Sequence, residues 1–579
     1  MNKFRTYNKR KYVLVLGIIS FVMCALVGRL IYLMVYKADY YGDGAIEVRE
    51  RERKIKARRG SIKDRNGVVL ASNKSVCTVS VIYSQITDKE KVISVLSKEL
   101  AMNESDIRKR VEKISSIEKI KSNVDKVVAD RIRNYNMDGV MIDEDYKRTY
   151  PFNDLASTVL GFTGSDNQGI IGLEVKYDKY LKGKEGIILT TTTANGIELD
   201  KEAERRVEPE EGYNVITSLD YNIQKYAQYL AEKAKEEKRA KSVKITVMNP
   251  NNGEIYAMVN VPEFNLNEPY EYNGDKSIYE TSNITDKNNL LNDMWRNKTI
   301  SDTYEPGSTF KIVTAASAFE EGVLKVEDRF NCPGYKVVED RRIRCHKVGG
   351  HGAEDFRQGI MNSCNPVFID VGLRLTPKKM YSYYKKLGLF NKTGIDIPGE
   401  ANSIMHKVEN IKAVEQATMA FGQSIQITPL QLLVAVSAVV NGGEIVTPHF
   451  VTDIVDEEGT SIETFRYSNK NNVVTSETSS IMKELLEAVV AEGTGNKAYV
   501  EGLRIGGKTA TSEKLPRRTG RYISSFLGVM PINNPQIIAI VLIDEPVGVY
   551  YGGTIATPII ANLFKNIANN GNSSLIMLE

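Results

Sequence analysis

Apolar and polar residues are arranged in three ways along this chain of 579 residues, and each arrangement predicts a different element. Residues 12–36 form one continuous apolar run, YVLVLGIISFVMCALVGRLIYLMVY, with a single charge at Arg29. About 20 apolar residues span a bilayer, and the basic residues just before the run favour a cytoplasmic N-terminus. We therefore predict a cytoplasmic tail at 1–11 and a single transmembrane helix at 12–36, with the remaining chain outside the cell membrane.

The second arrangement is strict alternation, which predicts strands. It occurs in VCTVSVIY (76–83), where Cys77 is expected to be a buried small hydrophobe. It also occurs in KITVMNPNNGEIYAMVNV (244–261), where Pro-Asn-Asn-Gly predicts the turn of a hairpin. The third arrangement, helical spacing, predicts a small helical insert at 87–135 and long helices that begin near 308, 360, 428 and 477.

Strand-like runs near the C-terminus, SSFLGVMP and IIAIVLIDEP, follow these long helices. Helices inserted between the first and last strands of one antiparallel sheet predict an α+β domain. The chain is also too long for a single core. We predict a mixed pedestal domain at 38–186, a linker at 187–210 and a larger α+β domain at 211–579.

Composition narrows the classes of partner. The formal net charge is +4 and no basic stripe dominates, so we expect no nucleic acid partner. Five cysteines in a chain of this length exclude a disulfide-dense scaffold.

Two short motifs in the second domain carry a nucleophile and a base. In YEPGSTFK, a helix is predicted to begin at Ser308, which puts Lys311 one turn later on the same face. A deprotonated lysine amine there can activate the serine hydroxyl. In NSCN, Ser363 and Asn365 are predicted to project together into a cleft, with Cys364 turned away as packing.

The third motif is GGKTATSEK, which is predicted to run along an edge strand beside a substrate groove. The ammonium of Lys508 and the hydroxyl of Thr509 can hold a substrate carboxylate. The Ser-x-x-Lys spacing alone is weak, because it recurs at Ser116 and Ser480 on predicted exposed helices. All three motifs in this order are a strong signal of serine acyl transfer.

These motifs resemble those of the penicillin-binding proteins, and specifically the class B transpeptidases. RRGSIKDRNG, RTYPFNDLASTVLGFTG and GIIGLEVKYDKYL are similar to the non-catalytic motifs of that family, so the resemblance covers nearly the whole chain. It implies a membrane-anchored serine D,D-transpeptidase that crosslinks peptidoglycan stem peptides and is acylated by β-lactams. The region from 40 to 186 shows none of the motifs of a glycosyltransferase domain.

The resemblance also implies roles for individual residues. Ser308 is the nucleophile and Lys311 its base, while Ser363 and Asn365 relay protons and hold the peptide. Besides the carboxylate-binding pair of the third motif, the backbone N–H groups of Ser308 and Thr511 form the oxyanion hole. No cofactor is needed for catalysis. A SEDS-type glycosyltransferase is the expected membrane partner, by analogy.

Two other functions stay open at this point. A D,D-carboxypeptidase or β-lactamase would use the same serine and lysine but would resolve the acyl-enzyme with water. A β-lactam receptor or scaffold would bind without turnover.

Ala510 stands where the family usually has glycine, and its methyl is expected to narrow the groove beside a bulky antibiotic. Lys-Thr-Ala-Thr-Ser resembles the motif of sporulation and division transpeptidases from anaerobic Gram-positive bacteria.

One further segment, FNCPGYKVVEDRRIRCHKVGGHG, holds two of the five cysteines and two of the four histidines. A hairpin turn near Val338 to Asp340 would make Cys332 and Cys345 face each other. The pair is predicted to bind structural zinc with His351, with a disulfide or a pair of free buried thiols as the alternatives. His346 is the nominal fourth ligand, and Asp302, Asp355 or a water are its alternatives.

Overall fold

The computed structural model describes residues 2–41, 50–115, 117–191, 205–469 and 473–569. The chain divides into two compact units. The first comprises Met1–Arg58, Lys74–Lys147 and Lys184–Glu211, and the second comprises Arg59–Asn73, Arg148–Gly183 and Gly212–Glu579. Residues 42–49 and Ser116 of the predicted pedestal domain, and residues 192–204 of the predicted linker at 187–210, lie outside the described residues.

The N-terminal segment is helical from Asn2 to Ile31 and continues as one π-helical turn, Tyr32–Tyr36. Lys9–Tyr36 has a window of mean hydropathy 2.5 and is the one helix, in the part of the chain described, long and apolar enough to cross a membrane. Its apolar side chains are exposed, as a lipid-facing helix requires.

The first unit has a small core of strands and helices. Residues Val76–Val81 of the strand Val69–Val81 pair antiparallel with Glu118–Asp125. Cys77 lies 2% exposed in this core, which confirms it as a buried hydrophobe. The predicted helical insert contains helices Lys89–Leu100, Glu104–Val111 and Lys126–Asn134, but the strand Glu118–Asp125 interrupts it, since its alternating burial follows a period of two. The other strands are Val140–Thr149, Glu50–Ile55, Gly186–Thr191 and Arg205–Val207.

The second unit is built on a five-stranded antiparallel sheet. The predicted hairpin supplies Ser242–Met248 and Ile255–Val261, and Gly253 takes φ +86° in its turn. In spatial order the strands are Ile255–Val261, Ser242–Met248, Ile537–Asp544, Tyr522–Met530 and Gly506–Glu513. Gly506–Glu513, the edge strand, therefore lies at the end of the sheet, as its motif predicted.

Helices cover both faces of this sheet. Successive side chains of the central strands, which point to opposite faces, are therefore all or nearly all buried. Tyr221–Lys238 and Thr557–Asn569 belong to one core. The other core contains Pro429–Val440, whose residues are all buried, and the helix Lys311–Glu320. Its further helices are Phe356–Met361, Asn365–Arg374, Pro377–Lys386, Ala413–Met419 and Ser476–Ala491.

Smaller elements complete the second unit. Val451–Val455 pairs with Asn214–Thr217 and Ser461–Thr464, and Ile62–Lys63 runs parallel to Asn214–Thr217. Short helices are Ser157–Leu160, Gly172–Lys176, Asp178–Leu181, Lys276–Thr281, Ile284–Trp295, Lys298–Ser301 and Gly552–Ile555.

Candidate active site

The turn that carries Ser308 depends on the glycine before it. Gly307–Phe310 forms a 3-10 turn, and the helix Lys311–Glu320 continues from it. Gly307 takes φ +58°, and a Cβ there would lie 2.3 Å from Ser512 Oγ on the edge strand. Only glycine allows this close approach, which leaves Ser308 half-buried at the junction of sheet and helix. We call Gly307–Phe310 the serine turn.

Lys311 is fully buried one turn after Ser308. Its Nζ donates to the carbonyl oxygen of Ser363 at 2.7 Å and to Asn365 Oδ1 at 2.8 Å, and it lies 3.3 Å from Ser363 Oγ. Burial lowers the pKa of Lys311 to about 8, against a smaller opposite effect of neighbouring cysteines and Glu354. The amine is therefore tuned toward its neutral form, as a general base requires.

The second motif folds so that its outer side chains share one direction. Ser363 takes φ +52°, and the helix Asn365–Arg374 begins directly after Cys364. Asn365 Nδ2 donates to the carbonyl oxygen of Arg344 at 3.1 Å, which fixes the amide so that its Oδ1 faces Lys311. The structure thus brings Lys311, Ser363 and Asn365 into direct contact.

The third motif occupies the edge strand. Lys508 is fully buried, and burial together with the charge of Lys311 lowers its pKa. Thr509 Oγ1 lies 3.2 Å from Thr494 Oγ1, and Thr511 Oγ1 accepts a hydrogen bond from Gly552 N at 2.9 Å. The strand lies beside the serine turn where Ser512 approaches Gly307.

Ala510 is buried rather than open to a groove. It is 3% exposed, and its Cβ lies 3.7 Å from where a Cβ on Gly307 would stand. The methyl therefore packs toward the serine turn and offers little surface to a ligand. The expectation that it narrows the groove is not supported by this placement.

The cysteine-rich segment forms the predicted turn with a different pairing. Tyr335–Val338 and Arg341–Arg344 form a hairpin that turns at Glu339 and Asp340. Cys332 lies on a separate strand, Arg329–Cys332, where it pairs with Gly352. The prediction that Cys332 and Cys345 are cross-strand neighbours of one hairpin is therefore wrong. The hairpin already closes at Tyr335, and Pro333-Gly334 turns the chain away.

Four residues nevertheless converge near this hairpin. One ligand atom from each of Cys332, Cys345, His351 and Cys364 lies within 4.8 Å of the other three. We call these four residues the cysteine cluster. Cys364 is fully buried in the core, as its predicted packing role requires, and its sulfur also lies among the four residues of this cluster.

The other proposed fourth ligands lie outside this set. His346 Nδ1 is 3.8 Å from Cys345 Sγ, but His346 does not join the four. Asp302 pairs with Arg296, and Asp355 accepts a hydrogen bond from Gln358 N as a helix N-cap. Both carboxylates are thus engaged elsewhere.

The cysteine cluster has an electrostatic environment that suits a cation. Contact with the Cys364 thiol lowers the pKa of Cys345, with His346 contributing in the same direction. Glu354 is 2% exposed, and its Oε1 has no hydrogen-bond partner among the described residues. That oxygen lies 3.9 Å from His351 Nδ1, so a buried carboxylate borders the cluster.

Two protein-family descriptions match this chain. The description "Penicillin binding protein transpeptidase domain" matches residues 243–565, and "Penicillin-binding Protein dimerisation domain" matches residues 54–217. The chain belongs to the penicillin-binding-protein transpeptidases. Stage V sporulation protein D of Bacillus subtilis (strain 168) is 38% identical to it over 576 residues, which cover 97% of this chain and 85% of that protein.

Two further proteins are similar to this transpeptidase at lower identity. The probable peptidoglycan D,D-transpeptidase PenA of Neisseria meningitidis serogroup B is 28% identical over 564 residues, covering 94% of this chain and 90% of that protein. Penicillin Binding Protein 2X from Streptococcus thermophilus matches with a TM-score of 0.73 at 20% identity, over 90% of this chain and 81% of that one. That similarity shows the fold alone. The predicted family, α+β fold and serine D,D-transpeptidase class are confirmed.

Sequence reasoning missed two contributions to the site. Cys364 was visible as a cysteine inside the second motif, 19 positions after Cys345, but its neighbours favoured a packing role. The carbonyl of Arg344, which orients Asn365, carries no sequence signal because it belongs to the backbone.

Proposed function

We propose that Ser308, Lys311, Ser363, Asn365, Lys508, Thr509 and Thr511 together catalyse crosslinking of peptidoglycan stem peptides. One observation carries this assignment. The buried Lys311 amine, one helical turn from Ser308, contacts both polar residues of the second motif. Such a lysine, with its pKa lowered by burial, supplies the base that a serine nucleophile needs.

Acylation begins when the Ser308 hydroxyl attacks the carbonyl of the penultimate D-alanine. Its proton passes to Lys311, and the backbone N–H groups of Ser308 and Thr511 stabilise the oxyanion. The C–N bond to the last D-alanine then breaks, and the leaving amine receives the proton by way of Ser363. Lys508 and Thr509 bind the terminal carboxylate throughout.

Deacylation reverses these roles with a different amine. An amine of a neighbouring stem peptide attacks the ester on Ser308 and loses its proton to Lys311. The Ser308–acyl bond breaks, Ser308 recovers a proton, and a new amide joins the two peptides. Asn365 contacts both the acyl chain and Lys311 and keeps the two in position.

The assignment is tested by labelling with a fluorescent penicillin. Ser308→Ala should abolish the covalent adduct in intact-protein mass spectrometry. Ser480→Ala is the matched control, because Ser480 is the exposed serine of another Ser-x-x-Lys, in the helix Ser476–Ala491, and its replacement should leave the adduct intact. An adduct that persists on Ser308→Ala would place the nucleophile elsewhere.

Crosslinking is separated from hydrolysis by the fate of the acyl-enzyme. With a D-Ala-D-Ala donor peptide and an added amine acceptor, the transpeptidase should form the amide and turn over slowly without the acceptor. Rapid release to water would instead support a D,D-carboxypeptidase.

We infer that the protein is held in the cell membrane with its N-terminus in the cytoplasm and its catalytic unit outside. The helix Lys9–Tyr36 and the basic residues Lys9, Arg10 and Lys11 support this orientation. A SEDS-type glycosyltransferase that supplies nascent glycan is the proposed membrane partner. Co-purification from detergent-solubilised membranes would test it.

The relative named Stage V sporulation protein D supports a role in sporulation. A fluorescent fusion should then localise to the developing spore. A fusion that instead appears at the division septum or along the growing cell wall would contradict that role.

We further propose that the cysteine cluster holds one structural zinc ion. Three sulfurs and one imidazole are a closed tetrahedral zinc set, and the buried Glu354 carboxylate fits a cation beside them. Metal analysis of protein purified without a histidine tag should find about one zinc per chain. Metal-free protein with Cys332 and Cys345 oxidised together would decide for a disulfide.

A further inference from the structure

A buried carboxylate lies three residues before the nucleophile and has no part in the chemistry described above. Glu305 is 9% exposed, and its Oε2 accepts a hydrogen bond from Arg517 Nη2 at 2.7 Å. Its Oε1 accepts from the same nitrogen at 3.0 Å and from the backbone N–H of Ser424 at 2.8 Å. One side chain thus joins three segments of the chain beside the serine turn.

Arg517 belongs to the loop 514–521, which continues directly from the edge strand. We call it the clasp loop. Its base is fixed, because Lys514 N donates to the carbonyl oxygen of Arg521 at 2.8 Å and Lys514 Nζ pairs with Asp544 at 2.7 Å. The side chain of Arg517 extends from this loop to Glu305. The ion pair therefore links the position of Glu305 to that of the edge strand.

The loop that carries Ser424 holds the serine turn from the other side. Gly307 N donates to the carbonyl oxygen of Gly422 at 2.9 Å. Gly422 and Ser424 both take left-handed backbone conformations, with φ of +79° and +62°. These two tight turns aim one carbonyl at Gly307 and one N–H at Glu305. Hydrogen bonds therefore hold Glu305 and Gly307, the two residues on either side of Pro306, just before Ser308.

We propose that Glu305 and Arg517 are positioning residues that set the separation between the two N–H donors of the oxyanion hole. Glu305 is three residues from Ser308, and Arg517 is six residues from Thr511. The ion pair therefore ties the segment that supplies one donor to the segment that supplies the other. The inference rests on the proposed function, in which those N–H groups stabilise the oxyanion.

The physical reason for such a tie is the narrow tolerance of an oxyanion hole. Its donors act only when they stand about 2.7–3.1 Å from the developing charge. A displacement of about 1 Å can reduce the rate by about a hundredfold. The edge strand and the serine turn belong to different elements, so a contact between them is needed to hold this distance.

A purely structural role is the competing explanation, because loss of the partly exposed Arg517 would leave the buried Glu305 carboxylate unpaired and so destabilise the fold. Infrared difference spectroscopy of the penicilloyl-enzyme separates the two. Hydrogen bonds from the oxyanion hole lower the stretching frequency of the ester carbonyl, whereas global stability does not affect it. Acylation rate constants, corrected for the active fraction by titration, give the second readout.

The test uses the full-length protein in detergent with Glu305→Gln, Arg517→Gln, the double variant and Arg517→Lys. Each single Gln variant should slow acylation by benzylpenicillin at least about tenfold, with the encounter dissociation constant little changed. The ester carbonyl should shift to higher wavenumber. The double variant should be no slower than the slower single one, since both remove the same contact. Arg518→Gln, at the exposed neighbouring position, is the control and should behave as the parent.

Arg517→Lys keeps the charge without the guanidinium fork, and it should give an intermediate rate and carbonyl shift. It also carries the test if Arg517→Gln fails to fold. Unchanged acylation rate constants and carbonyl frequency in the active fraction would overturn the proposal, whatever the loss of stability. Labelling that survives Ser308→Ala would instead overturn the proposed function, so the two failures are distinguishable.

Discussion

The Lys311 site and the cysteine cluster share one turn and use opposite faces of it. Ser363 and Asn365 face the Lys311 amine, while Cys364 between them belongs to the cysteine cluster. The Lys311 site is built from residues at the starts of regular elements. The cysteine cluster gathers four residues from strand ends and loops. The comparison shows that a single short turn supplies side chains to two separate groups, one around the Lys311 amine and one of cysteines and a histidine.

The largest expected effect is at the centre of the Lys311 site. Lys311→Ala removes the base, so acylation by benzylpenicillin should slow about a thousandfold or more. The melting temperature should change little, because water can solvate the polar groups of Ser363 and Asn365 that Lys311 leaves behind. Stopped-flow acylation kinetics measure this, with Lys483→Ala, at the half-buried lysine of the other Ser-x-x-Lys, as the control. A loss below about tenfold would mean that another group is the base.

The same amine predicts a pH dependence. Burial lowers the pKa of Lys311 to about 8, and the neutral amine is the proposed base. The neutral fraction rises from about 1% at pH 6 to half at pH 8, so the acylation rate should rise about fiftyfold over that interval and then level off. A rate that falls with rising pH would contradict this role.

A smaller effect is expected where the two regions meet. Asn365 links Lys311 to the carbonyl of Arg344, which ends the hairpin strand Arg341–Arg344 beside the cysteine cluster. Asn365→Ala should slow acylation about ten- to a hundredfold, as expected for loss of one orienting hydrogen bond at a catalytic site. Asn365→Asp keeps an acceptor for Lys311 but loses the donor to Arg344, so comparing the two variants separates these contacts. Equal rates in both would assign the effect to the hairpin side.

These contacts explain how much of the site could be predicted from the sequence. Ser308 and Lys311 were predictable because helical periodicity places positions i and i+3 on one face. The edge strand that carries Lys508 and Thr511 was predictable from the run that follows the Gly-Gly pair, whereas the oxyanion role of Thr511 comes from the family resemblance and stays a prediction. Cys364 was not predictable, because its direction is set by the left-handed Ser363 and by three segments distant in sequence.

The fold shows the same division. Strands with strict alternation, such as the hairpin Ser242–Met248 and Ile255–Val261, were predicted with their turn. The charged residues of the strand Glu118–Asp125 also fit helical spacing over a short window, so the local pattern predicts helix where the structure has a strand. Tertiary pairing with Val76–Val81 decides its conformation, and that pairing is invisible in a local pattern.

Removing one sulfur from the cysteine cluster should affect stability more than chemistry. Cys332→Ser removes one proposed zinc ligand, so it should abolish zinc binding and lower the melting temperature by about 5 °C. It leaves the Ser363–Asn365 turn untouched, so it should slow acylation only a few-fold. Cys77→Ser, at a buried cysteine of the first unit, is the control and should retain zinc. Full zinc content in Cys332→Ser would remove that residue from the proposed ligand set.

The smallest effect is expected at Ala510, the position where the edge strand departs from the family pattern. Its methyl is 3% exposed and packs toward the serine turn, so Ala510→Gly removes little surface that a ligand could touch. Glycine also costs about 0.5–1 kcal/mol in the middle of a strand, which should lower the melting temperature slightly. Acylation rates across a panel of small and bulky cephalosporins should change by less than about threefold, since the oxyanion donors keep their positions. A selective acceleration of the bulky members would show that the methyl does narrow the groove, and would restore the expectation drawn from the sequence.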